Sequence, residues 1–195
     1  MTIPKNDIPI TRARRTEFTT RAEGEEMIIE GYFVVFEQPY YIDDYCEEIV
    51  ARGAFDDADM SDVRALIDHL PHLVIGRSTV DTLSFSIDDT GLFATVKINA
   101  RDADAVSLYA RTQRGDVDQA SFGFDEEEVT YTDLPGGRIR RTINKISKLW
   151  EISVCTFPAY EQTFVSARSA AAADVREQRR EAQKNRLKRR FKHHA

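Results

Sequence analysis

Ser121 lies in "QASFGF", between a small residue and two phenylalanines spaced by one, on a stretch otherwise rich in carboxylates. A serine hydroxyl is a weak nucleophile at neutral pH and needs a base within hydrogen-bond reach, itself oriented by a third group. Of the four histidines, His193 and His194 end a charged tail where no pocket encloses them, which leaves His69 and His72. His69 closes the run "VRALIDH", and His72 follows Pro71 in the stretch "LPHLVIGRS", read as a loop. For the orienting acid, "KLWEISVCTF" offers Glu151, a lone carboxylate on an otherwise apolar strand. An unpaired buried charge is costly, so Glu151 needs a partner. An imidazole N–H would serve, and so would a salt bridge to Arg140 or Arg141 on the preceding strand.

Strand alternation sets the faces on which these groups stand. Along "ASFGF" it sends Phe122 and Phe124 one way and Ser121 and Gly123 the other. If the phenylalanines fill the core, Ser121 looks outward, and Gly123 beside it leaves room for a substrate backbone. The same alternation puts Trp150, Ile152 and Val154 on one face of their strand and Leu149, Glu151 and Ser153 on the other.

The elements that must carry these residues are mostly strands. "MIIEGYFVVF", "VRALIDH", "TLSFSI", "GLFATVKI", "QASFGFDEEEVTY", "RIRRTINKI" and "KLWEISVCTF" are β-branched or aromatic runs separated by turn signals such as "DDTG" and "LPGG". Gly31 suggests a bulge or bend in the first. One helix is expected from Asp102 to Arg114, with Asp102 as cap, Ala103, Val106, Tyr109 and Ala110 at helical spacing, and Gly115 as the stop. Six or seven strands without alternating helices predict a mainly β, α+β fold with a closed or nearly closed barrel.

With 195 residues, 42% of them hydrophobic, the chain suits one globular domain. No run of about 18 apolar residues is present, so no membrane span is expected, and the polar start carries no secretory signal. The chain reads as intracellular and soluble. Cys46 and Cys155 match no metal spacing, so neither zinc nor a disulfide framework is expected, and no cofactor is implied. Charge divides unevenly. Residues 168–195 hold ten Lys/Arg against three Asp/Glu, a balance of +7, which leaves −13 on the first 167 residues to make the total of −6. The organisation expected is a flexible arm over 1–25, a domain over 26–167, and a basic helical or disordered tail over 168–195. An acidic body repels phosphate, so nucleic acid is an unfavoured partner.

Taken in order, "GYFVVFEQP", "EEIVARGAF", "ALIDHLPHLVIGRS", "TLSFSIDDTGLFATVKI", "RGDVDQASFGF" and "LWEISVCTFPAYEQT" resemble the prohead, or capsid maturation, serine proteases of tailed bacteriophages. The similarity runs from about Glu30 to Val165 and extends to the assemblin proteases of herpesviruses, which are β-barrels. It implies His69 as base, Ser121 as nucleophile and Glu151 as orienting acid. Asp68 stands where the family commonly has Asn, and Ala120 where it commonly has Met or a similar residue; an acid at 68 leaves open whether Asp68 or Glu151 takes the histidine proton. The resemblance further implies cleavage of the scaffolding segment of the major capsid protein, and of the protease itself, inside the assembling prohead in the host cytoplasm, with possible dimerisation. Backbone amides near Arg77 or in "PGGRIRR" are the candidate oxyanion donors. The alternative is a noncatalytic capsid assembly or scaffold module.

Overall fold

The computed structural model describes residues 10–156, apart from 24–25 and 43–44. The basic tail lies outside the described residues. Among those described, eleven strands and one α-helix form two sheets. No helix there is long and apolar enough to cross a membrane.

The larger sheet contains β1 (Ile10–Arg15), β4 (Tyr40–Tyr41), β5 (Cys46–Val50), β6 (Arg64–Ile67), β7 (Val74–Arg77), β10 (Gln119–Asp133) and β11 (Ile139–Cys155). The smaller runs in the order β2 (Thr19–Glu23), β3 (Glu26–Val35), β9 (Gly91–Ile98), β8 (Leu83–Ile87). The two share one apolar core that includes Phe33, Val96, Phe122 and Ile152. The fold is therefore α+β, mostly β with one helix. The expected barrel is corrected: the ladders among the described residues close no ring.

Two further expectations change. The segment 1–25, read as an arm, contains β1 and β2. Both are short strands at the ends of their sheet orders, laddered to β10 and β3, and the polar sequences "ITRARR" and "TTRAE" carry no alternation that signals them. The stretch after His69, read as a loop, contains β7.

β11 organises the larger sheet. β10 pairs antiparallel along one of its edges, while β5 and then β6 pair parallel along the other. β5 reads "CEEIV", two acids inside a strand, and both are buried. Register explains them, because Arg140 lies opposite Glu47 and Arg141 opposite Glu48. Glu47 accepts from Arg140 Nε at 2.7 Å and pairs with Arg138. Arg141, buried itself, bridges Glu48 and Glu126. Burial alone would lower the pKa of this guanidinium, but Glu48 and Glu126 outweigh it and hold the group above its ordinary range.

The helix α1 (Ala103–Arg114) has the expected ends. The Asp102 side chain accepts from the backbone N–H groups of Asp104 and Ala105, and Gly115 closes the helix at φ 85°. Its buried face is rotated from the expected one: Ala105, Leu108, Tyr109 and Thr112 are buried, against the smaller sheet. Burying Leu108 alone contributes about 1.5–3 kcal/mol, more than the alanines of the expected stripe can offer.

Candidate active site

Phe122 and Phe124 fill the core as expected, stacked with ring centroids 4.8 Å apart. Opposite them, the β10–β11 register pairs Ser121 with Ser153 and Gly123 with Glu151. These four positions share one face of the sheet, with directly opposed positions about 5 Å apart and diagonal neighbours about 7–8 Å apart. Ser121 does not look out to solvent, for it is wholly buried. The turn bearing His69 folds over this face, and the Glu151 side chain occupies it. Nor is the space above Gly123 left for substrate: a Cβ there would stand 2.6 Å from Glu151 Oε1.

Glu151 reaches that space because of a β-bulge. Phe124 pairs with Leu149 while Gly123 pairs with Glu151, which leaves Trp150 as the extra residue. The strand changes phase there, so Leu149 joins Ile152 and Val154 in the core. The expected placement of Leu149 beside Glu151, and of Trp150 in the core, is corrected accordingly. Trp150 instead donates from Nε1 to Asp125 Oδ2 at 2.8 Å, with Lys148 Nζ 4.3 Å from its ring centroid.

His69 arrives from the other side of β11. β6 runs parallel to β11, with Leu66 opposite Ser153 and Ile67 opposite Val154. The strand ends at Ile67, and a turn follows in which Leu70 N–H donates to Ile67 O at 2.9 Å. Its central residues, Asp68 and His69, have φ of 48° and 59°. Two successive left-handed residues fit a type I′ turn, whose usual occupants are Asn and Gly. Holding side-chain-bearing residues in that conformation costs of order 1–3 kcal/mol each.

Three contacts to the end of β11 hold the turn. Asp68 N–H donates to Val154 O at 3.1 Å. His69 N–H donates to Ser153 Oγ at 3.2 Å. The Asp68 carboxylate accepts from Thr156 N at 2.8 Å and Thr156 Oγ1 at 3.1 Å. The Asp68 carboxylate is thereby engaged with Thr156.

The ring lands on Glu151, with His69 Nδ1 2.7 Å from Oε1. The second carboxylate oxygen, Oε2, accepts from Ser153 Oγ at 2.5 Å. Glu151 is 9% exposed, so this pairing is what makes its burial tolerable. Of the two partners open to it, the imidazole is the one observed, while Arg140 and Arg141 bind Glu47 and Glu48. His72 is exposed. The other potential nucleophile at this end, Cys155, is disarmed: burial pushes its thiol pKa far up, and the Asp68 and Glu151 carboxylates push it further.

Two facts bear on the candidate oxyanion donors. Arg77 N–H already donates to Thr82 Oγ1 at 2.9 Å. The "PGG" turn follows Asp133, which ends β10 twelve residues beyond Ser121, roughly 40 Å along an extended strand. Sequence reasoning placed Ser153 on the face of Glu151 without giving it a task. The only local signal was the two-residue spacing in "EIS".

Among known proteins, a family described as caudovirus prohead serine protease matches residues 14–178. The prohead protease of Enterobacteria phage HK97 is 33% identical over 152 residues, 78% of this chain. That match spans 64% of the relative's own length. The solved structure of the bacteriophage T4 capsid assembly protease is 10% identical, covering 74% of this chain and 96% of its own, with a TM-score of 0.42.

Proposed function

This chain belongs to the caudovirus prohead serine protease family, and we propose that it is a serine endopeptidase using Ser121 as nucleophile, His69 as base and Glu151 as orienting acid. The observation that carries this reading is the 2.7 Å contact between His69 Nδ1 and Glu151 Oε1, on the sheet face that also bears Ser121. That contact keeps the proton on Nδ1 and leaves Nε2 as the basic nitrogen. Ser121 Oγ attacks the scissile carbonyl carbon as its proton passes to His69 Nε2. The tetrahedral intermediate collapses, the C–N bond breaks, and the imidazolium gives its proton to the leaving amine. Water then gives a proton to the same nitrogen and attacks the acyl carbon, the bond from that carbon to Ser121 Oγ breaks, and the imidazolium returns the proton to Oγ. Glu151 stabilises the imidazolium in both halves without itself taking the proton.

The substrate in this reading is the scaffolding segment of the major capsid protein, together with the protease itself. The place of action is the interior of the assembling prohead in the host cell, and self-association belongs to the same reading. The relative's printed name, prohead protease, supports it. Coexpression with the neighbouring capsid protein, followed by intact-mass measurement of both chains, tests it. Shortened products are expected with the natural sequence and none with Ser121→Ala. Normal processing by the alanine variant would remove Ser121 from the role.

A further inference from the structure

A carboxylate that orients a histidine must itself be oriented, because the terminal torsion of a glutamate is broad and roughly two-fold. At Glu151 the second oxygen is held: Ser153 Oγ donates to Oε2 at 2.5 Å. The same hydroxyl accepts from the His69 backbone N–H at 3.2 Å. A serine hydroxyl has one proton and two lone pairs, so these two contacts fix its rotor, proton toward the carboxylate and lone pair toward the main chain. Ser153 is wholly buried, with Ser121 directly opposite it in the register.

We propose that Ser153 is a positioning residue for the catalytic histidine. The inference rests on the Ser121–His69–Glu151 reading. Ser153 acts at both ends of the histidine–glutamate contact. Through Oε2 it stops the carboxylate from turning, so that Oε1 stays on Nδ1. Through the His69 amide it helps hold the left-handed turn from which the ring projects. The path from the amide through the hydroxyl to the carboxylate is a continuous hydrogen-bond chain in a buried setting, where each link polarises the next. Removing the hydroxyl leaves Glu151 Oε2 buried without this donor and the turn with one anchor fewer, while the chemistry-bearing atoms all remain.

The test uses the full chain and a peptide spanning a junction mapped in the coexpression experiment. Ser153→Ala is expected to lower kcat about 10- to 100-fold, the scale of a misplacement of about 1 Å, with KM unchanged. Ser153→Cys, close in volume but a poor donor, should lose activity in the same direction, so the proposal stays testable should the alanine variant fold poorly. Ser153→Thr keeps the hydroxyl and should recover most of kcat. In a Glu151→Gln background, Ser153→Ala should add little, because its effect runs through Glu151. An activity-independent reading is the low-field proton resonance of His69 Nδ1–H, which should shift upfield in Ser153→Cys. Full kcat in both Ser153→Ala and Ser153→Cys, or losses that multiply with Glu151→Gln, would overturn the proposal. An active Ser121→Ala enzyme would instead overturn the reading beneath it.

Discussion

Gly123→Ala isolates the placement of Glu151 without touching any group in the proposed chemistry. The backbone at Gly123 is not in the left-handed region, so alanine fits it. Loss of unfolded-state freedom would by itself stabilise the variant by about 0.4–1 kcal/mol. Against that, the new methyl would stand 2.6 Å from Glu151 Oε1, 3.1 Å from its Cγ and 3.2 Å from its Cδ. Contacts this short force the glutamate aside, and overpacking of this kind costs about 1–3 kcal/mol. The net destabilisation is about 0–2.6 kcal/mol, a fall in Tm of up to roughly 10 °C for a domain of this size. The kinetic effect should be larger. Oε1 is the atom on His69 Nδ1, and displacing it by about 1 Å releases the ring, lowering kcat by 10²-fold or more. Steady-state cleavage of a junction peptide at a temperature well below Tm separates the two. A variant with normal kcat, however stable, would refute the idea that the space above Gly123 is reserved for the orienting carboxylate.

Glu151→Gln should lower turnover by about 10⁴-fold through the wrong tautomer, while Tm changes little because Arg140 and Arg141 keep their own partners; calorimetry and kinetics on one preparation read both. His69→Ala should be nearly as damaging as loss of Ser121, and His72→Ala, at an exposed site, mild; a reversal of the pair would reassign the base. Arg141→Met takes the Arg141 cation from Glu48, 2% exposed, and should cost about 3–5 kcal/mol, a fall in Tm of about 6–20 °C, recovered when Glu48→Leu is added. Arg77 hydrogen-bonds Asp62 through Nε at 2.7 Å and Nη2 at 2.8 Å and holds its carboxyl below the usual carboxylate range. In that window the unfolded chain binds the extra proton, so this contribution is full above about pH 4 and fades as pH falls through the lowered folded value. Tm measured against pH should fall less steeply below pH 4 in Asp62→Asn, and an unchanged slope would deny Asp62 that role.

What could be read from the chain alone was whatever its near neighbours determine. The cap at Asp102 and the stop at Gly115 depend on a few adjacent residues, and both stand in the structure. The face of α1 does not: it is chosen by what Leu108 can bury, which lies on other strands. "CEEIV" gave no strand signal because the arginines that neutralise Glu47 and Glu48 are 93 residues away. The bulge at Trp150 was invisible because alternation within one strand cannot say which residue its partner skips. Elimination left His69 and His72, and the family resemblance singled out His69 and Ser121, but the choice between an imidazole and an arginine for Glu151 needed the parallel pairing of β6 with β11. Alternation makes Ser153 a neighbour of Glu151, but its second contact is with the His69 main chain, 84 residues back.

The central position of β11 also sets a clock. His69 and Glu151 are 82 residues apart, and the hydrogen bonds that tie the His69 turn to β11 and the residue after it reach Ser153, Val154 and Thr156. At about 5–20 residues per second, that interval is roughly 4–16 s of synthesis, during which β6 has only β7 beside it. A half-made chain on the ribosome thus holds a histidine with nothing to aim it. β11 is the last of the described strands in chain order, so in the proposed reading the histidine gains its orienting carboxylate only once that strand has been made, and the order in which the polypeptide is written keeps the growing chain apart from the finished site.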